Sequence, residues 1–93
     1  MRNAMSERIE LIRTRLTNAL SPTSLDIIDD SHKHVGHAGA AGGGGHFTVH
    51  IVAQAFEGHH LLQRHRLIYD ALGDAMQTEI HALSIKAHTP DEI

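Results

Sequence analysis

The sequence predicts an α/β (α+β) domain with element order α-β-β-α-β, a small three-stranded mixed sheet carrying both helices on one face. Three observations lead there. Apolar residues recur at three- and four-residue spacing in two segments, the period of an amphipathic helix. Residues His46 to Ala53 alternate cleanly between apolar and polar, the period of a strand with one buried face. Two further short runs, Leu25 to Asp30 with its β-branched residues before that alternation and Ile80 to Ala87 after it, read as its partners.

The first helix follows from Met5, Ile9, Ile12, Leu16 and Ala19, which fall on one face. Ser6 is placed to cap its start, and Pro22 prevents continuation past Ser21. Its polar face, Glu7, Arg8, Glu10, Arg13 and Arg15, reads as solvated. Leu25 to Asp30 is the first strand. Ser31 to Gly45 then contains His32, His34 and His37 and six of the eight glycines, so residues 32–45 read as a flexible Gly/His loop inside the domain. In the alternating strand Phe47, Val49, Ile51 and Ala53 point one way and His46, Thr48, His50 and Val52 the other. Phe56-Glu57-Gly58 makes a turn. From about His60 to Gln77 a second helix places Leu61, Ile68, Leu72, Ala75 and Met76 on one face. Ile80 to Ala87 is the third strand, and Thr89-Pro90 opens a short terminal turn. The first two strands pair antiparallel across the loop, and the third, following a helix, joins in parallel by a right-handed crossover.

At 93 residues the chain holds one domain, 1–93, with residues 1–5 expected to be disordered. Eight Lys and Arg against eleven Asp and Glu give a net charge of −3, which disfavours bulk charge-driven binding to nucleic acid or anionic membrane. The absence of cysteine excludes disulfides, thiol catalysis, thiolate zinc sites and a self-contained all-cysteine iron–sulfur centre. No targeting segment is visible, so the expected compartment is the cytoplasm, with no membrane partner. The unusual count is histidine, ten in the chain.

Phe56-Glu57-Gly58, Arg64-His65-Arg66-Leu67-Ile68-Tyr69 with Leu72, Ile80-His81-Ala82-Leu83-Ser84-Ile85 and Thr89-Pro90 stand in one order, with Ser31, His34 and His46-Phe47 before them. Together these segments resemble the BolA family over nearly the whole chain from Ser6. The resemblance implies a fold like a type II KH domain. It also implies two activities: partnership with a monothiol glutaredoxin through a shared, bridging [2Fe–2S] cluster in iron–sulfur trafficking or iron sensing, and transcriptional regulation through DNA binding.

Imidazole replaces thiolate on one iron in some clusters. A chain without cysteine has only histidine to offer, so the thiolates must come from outside; the resemblance implies that the glutaredoxin and glutathione bring them, and the cluster is expected to be held only in the complex. The resemblance assigns one ligand to His81 and the other to the loop after the first strand. Counting forward from Asp30-Ser31 selects His34, and counting backward from His46-Phe47 selects His37; His34 is preferred, with His37 the alternate. On strand parity alone His81 groups with Leu83, Ile85 and Ala87, which reads as a core histidine. His32, His46, His50, His59, His60 and His88 read as surface or strand-edge residues and receive no role. Imidazole binds iron in its neutral form and ordinarily protonates near pH 6.5, so a cluster held by two histidines loosens in mild acid.

Arg64, His65 and Arg66 with Lys86 form the candidate surface for partner or nucleic acid. A KH-type clamp needs a GXXG loop between helices; the matching turn, Glu57-Gly58-His59-His60, has one glycine, and Tyr69 is the single exposed aromatic candidate for stacking. No enzyme is expected. Ser31 with His32 and His34 near Asp29 and Asp30 lacks rigid placement, and His65 with Asp70 or Asp74 reads as helix-surface charge. Alone, the protein is expected to be a monomer or weak dimer.

Overall fold

A computed structural model describes residues 4–30 and 45–93. The predicted α+β architecture is present. Helix α1 spans Ala4–Leu20, strand β1 Ser24–Asp29 and strand β2 Gly45–Val52. A single 3-10 turn, Gln54–Phe56, precedes helix α2, Leu61–Leu72, and the short helix α3, Ala75–Thr78. Strand β3 is Ile80–His88, and a 3-10 turn at Pro90–Glu92 ends the chain. The sheet order is β1-β2-β3, with β1 antiparallel and β3 parallel to the central β2.

The core lies on one face of this sheet. Phe47, Val49 and Ile51 of β2 are buried there against Ile12, Leu16 and Leu20 of α1 and Ile68 and Leu72 of α2. Burying a side chain of this size contributes about 1.5–3 kcal/mol, so these eight residues anchor the domain. The opposite face of the sheet carries no helix among the described residues, and Asp26, His50 and Lys86 line up across it, exposed.

Several local expectations change. The first helix begins at Ala4, ahead of Ser6, so Ala4 and Met5 belong to it. Its buried stripe ends on Leu20, and Ala19 is exposed. The helix stops because Ser21 turns to φ +46, donates its amide to Thr17 O at 3.1 Å, and is followed by Pro22. Arg8 and Arg15 are not merely solvated: Arg8 Nε donates to Glu79 Oε2 at 3.1 Å, while Arg15 Nη1 donates to Leu72 O at 2.7 Å and Asp74 Oδ1 at 2.8 Å. These three bonds tie α1 to the region around α3.

The second helix is broken where one continuous helix is predicted. Gly73 takes φ +55 and donates to Tyr69 O, ending α2, and the chain restarts as α3 at Ala75. Ala75, the first residue of α3, is in the core. At the other end Leu61 is 63% exposed instead of buried, because α2 starts there with its first turn outside the core. His60 has a role that its sequence position did not suggest. Its Nδ1 accepts from the Gln63 amide and Gln63 Oε1 accepts from the His60 amide, a reciprocal N-terminal cap.

Gly73→Ala is expected to destabilise the domain. An alanine Cβ would lie 3.3 Å from Arg15 Nη1 on a backbone at positive φ. Backbone strain of this kind costs about 1–3 kcal/mol. A domain of this size loses roughly 4–8 °C of melting temperature per kcal/mol. Gly58→Ala, at φ +78 with open space around it, should cost less. Thermal denaturation of both variants checks this; a Gly73→Ala melting temperature equal to wild type contradicts it.

Candidate functional site

The site begins with an irregularity in the sheet. The parallel register runs Gly45↔Ile80 and then His46↔Ala82, so β3 carries one extra residue, His81, at that point. Ile80 is buried in the core and Leu83 packs against it, while the two residues between them are exposed. Strict two-residue parity places His81 with the core residues Leu83 and Ile85. The bulge re-aims it instead, the common use of such an insertion beside functional sites.

His46 is the side chain that meets it. The His46 and His81 ring centroids are 4.9 Å apart with planes tilted by 48°. His46 is not a surface residue: it is 9% exposed. A cleft of about 140 Å³ opens beside the pair, lined by Asp30, His46, Phe47, Ala82, Leu83 and Ser84. Backbone bonds fix its rim. The Asp30 amide donates to His46 O at 2.8 Å, and the Gly45 amide donates to Glu79 O at 3.1 Å. The Thr48 hydroxyl donates to the Asp30 carboxylate.

His34 and His37 lie outside the described residues, as do Ser31 and His32. The segment that carries them leaves the sheet at Asp30 and re-enters at Gly45, and Asp30 lines the same cleft as His46. Four residues of chain reach at most about 14 Å and seven about 25 Å. His34 and His37 follow Asp30 by four and seven residues in the sequence.

The four residues predicted as one basic surface are not brought together. Arg64 is turned inward, its side chain 12% exposed. Its Nε donates to His59 O at 2.8 Å and its Nη1 to Ala87 O at 3.1 Å, while Nη1 and Nη2 clasp the Glu92 carboxylate at 2.6 and 3.0 Å. The hydrogen bond to Glu92 raises the Arg64 pKa, and the same bond, with the Thr89 amide, lowers that of Glu92 from 4.5 to about 2. His65 is half-buried, and its Nε2 is closed to solvent without a hydrogen-bond partner among the described residues. Lys86 stands on the sheet face opposite α2, because Ile85 and Ala87 face the core. Arg66 remains exposed on the helix, in one stripe with Leu62 and Tyr69. That apolar stripe was not anticipated from the sequence. Arg64 meets Ala87, six residues and about 20 Å along β3 from His81, so the two candidate sites lie at opposite ends of that strand. Neither Asp70 nor Asp74 is hydrogen-bonded to His65 among the described residues, and Asp74 is held by Arg15.

A family model for BolA-like proteins matches residues 16–92. The chain belongs to the BolA family. The solved BolA domain of SufE1 from Arabidopsis thaliana superposes with a TM-score of 0.81 at 44% identity, covering 95% of this chain and 96% of that one. In sequence, the chain is 44% identical over 97% of its length to SufE-like protein 1, chloroplastic/mitochondrial, from the same plant, and 44% identical over 96% to Protein BOLA1, chloroplastic. It spans 26% and 58% of those two proteins. It is 36% identical over 89% of its length to the DNA-binding transcriptional regulator BolA of Escherichia coli, covering 76% of that protein. No helix among the described residues is long and apolar enough to cross a membrane. The plant relatives carry chloroplast or mitochondrial names, so membership of the BolA family does not bring the cytoplasmic placement with it.

The Arg64–Glu92 clasp generates a pH prediction. Because the Glu92 pKa is lowered on folding, its contribution is present above about pH 4.5 and is lost as pH falls toward 2. Glu92→Gln should therefore melt below wild type at pH 7, and the gap should close between pH 4.5 and 2. Paired melting curves across that range check it; a gap independent of pH contradicts the clasp.

Proposed function

We propose that this BolA-family chain is an adaptor that binds a monothiol glutaredoxin and co-ligates a bridging [2Fe–2S] cluster for iron–sulfur trafficking or iron sensing. His81 supplies one nitrogen and His34, with His37 as alternate, the second. Glutaredoxin and glutathione supply the sulfur donors. The reading carries no catalytic step of the chain's own.

The observation that supports this reading is the position of His81. The bulge lifts it out of the core at the end of the sheet where the histidine-rich segment departs and returns. An exposed imidazole on a rigid strand, joined by a second from His34 or His37, suits one iron of a cluster whose other iron is held by thiolates. The exposed stripe Leu62, Arg66 and Tyr69 on α2 is a docking face with apolar anchors and one cation.

A second reading, a DNA-binding regulator, is favoured by the name of the Escherichia coli relative. Its electrostatic basis on this chain is reduced. Arg64 is held by Glu92, and Lys86 is on the other face of the sheet from Arg66.

Anaerobic reconstitution with a monothiol glutaredoxin and glutathione tests the first reading. A coloured heterodimer with visible circular dichroism is expected, and His81→Ala should abolish the colour while the apo fold persists. Survival of the coloured complex after joint loss of His81, His34 and His37 overturns the ligand assignment. Acidification should release the cluster, since protonated imidazole does not ligate. For the second reading, DNA affinity is measured against salt; a slope near zero, or binding unchanged in Arg66→Ala, removes it.

A further inference from the structure

We propose that His46 is the positioning residue for His81: its buried imidazole is the wall that fixes how the exposed His81 ring is presented. The inference rests on the reading of His81 as a ligand for its purpose, while the ring order itself belongs to the isolated chain.

The two histidines differ in every respect that sets mobility. His46 sits on the central strand, with its carbonyl held by the Asp30 amide and the preceding Gly45 amide held by Glu79 O. Phe47, fully in the core, anchors the next position. His81 sits on β3, at the edge of the described sheet and at the one place where the β2–β3 ladder is irregular, and is exposed. An imidazole in that position samples three χ1 wells and two ring orientations unless something restricts it. The ring contact with His46, at 4.9 Å and 48°, falls in the range of favourable tilted aromatic pairs.

The same geometry divides the labour between the rings. Both ring nitrogens of His46 are closed to solvent, so an incoming iron would have to displace the surrounding wall to reach them. His81 needs no such displacement. A ligand whose orientation is set before binding loses less rotational freedom when metal arrives. Residues that orient a metal-bound histidine typically change affinity 10- to 100-fold when removed.

The first test is nuclear magnetic resonance of the metal-free wild-type chain. Cross-relaxation between the His46 and His81 ring protons and a single dominant His81 χ1 are expected; their absence overturns the proposal whatever any variant does. His46→Ala should spread His81 over several χ1 wells, and His46→Phe, which keeps a ring in place without nitrogen, should preserve the single well. Backbone amide shifts of β2 and β3 report whether each variant retains the sheet. An unchanged His81 χ1 in folded His46→Ala overturns the proposal.

The second test uses the complex with glutaredoxin. A chelator should strip the cluster about 10-fold faster from His46→Ala, and at close to the wild-type rate from His46→Phe. Pulsed electron paramagnetic resonance of the reduced cluster should count the same number of coupled nitrogens in wild type and His46→Phe. Loss of one nitrogen in His46→Phe makes His46 a ligand and overturns the positioning role. A wild-type cluster with no nitrogen coupling instead removes the ligand reading of His81, and leaves the ring order measured on the free chain standing.

Discussion

The central strand β2 is the constraint on which the rest of the structure depends. It is the only strand of the described sheet paired on both sides, and Phe47, Val49 and Ile51 drive its inner face into both main helices. Because strand side chains alternate, fixing that face fixes the other. His46, Thr48 and His50 must then point away from the helices. The polar face of the sheet is thus a consequence of how the core is packed. Its one departure from regularity, the extra residue opposite Gly45 and His46, gains its effect from the rigidity around it. A bulge in a mobile ribbon would aim nothing; beside a strand held on both sides it aims His81.

Much of the fold was legible because the hydrophobic period carries it. The alternation from His46 onward and the spacing of Ile12, Leu16, Ile68 and Leu72 each have one packing solution. What was not legible was non-periodic. The break at Gly73 leaves the apolar spacing of the second helix intact, so the pattern reads straight through it. The bulge at His81 inverts parity for one residue, and parity was the only local rule available. Gly45 was the signal that could have raised it, since glycine at a strand end often marks a bulge or close backbone approach. The buried state of His46, whose ring lies against that of His81, is likewise a tertiary fact, absent from the alternation that makes it outward-facing.

The charged residues show a second limit of sequence reading. Arg64, His65 and Arg66 are adjacent in the chain, yet successive helical positions are separated by about 100° and face different surroundings. Arg64 is drawn to Glu92 and two carbonyls, His65 is half-covered, and Arg66 is left in solvent. A run of basic residues on a helix is therefore not a basic patch. Here its first member is a structural tie. It binds the terminal 3-10 turn to the start of α2 and secures the end of β3 remote from His81.

The distribution of rigidity bears on what such a chain can hold. His81 is carried by an ordered strand and backed by a buried ring. On the proposed reading, it defines where an inorganic centre would sit. Two neutral imidazoles without any thiolate give the isolated chain little hold on an iron–sulfur centre. The sulfur donors of a partner would supply most of the binding. On the proposed reading, a site whose sulfur donors belong to the partner favours passing a cluster on over storing it.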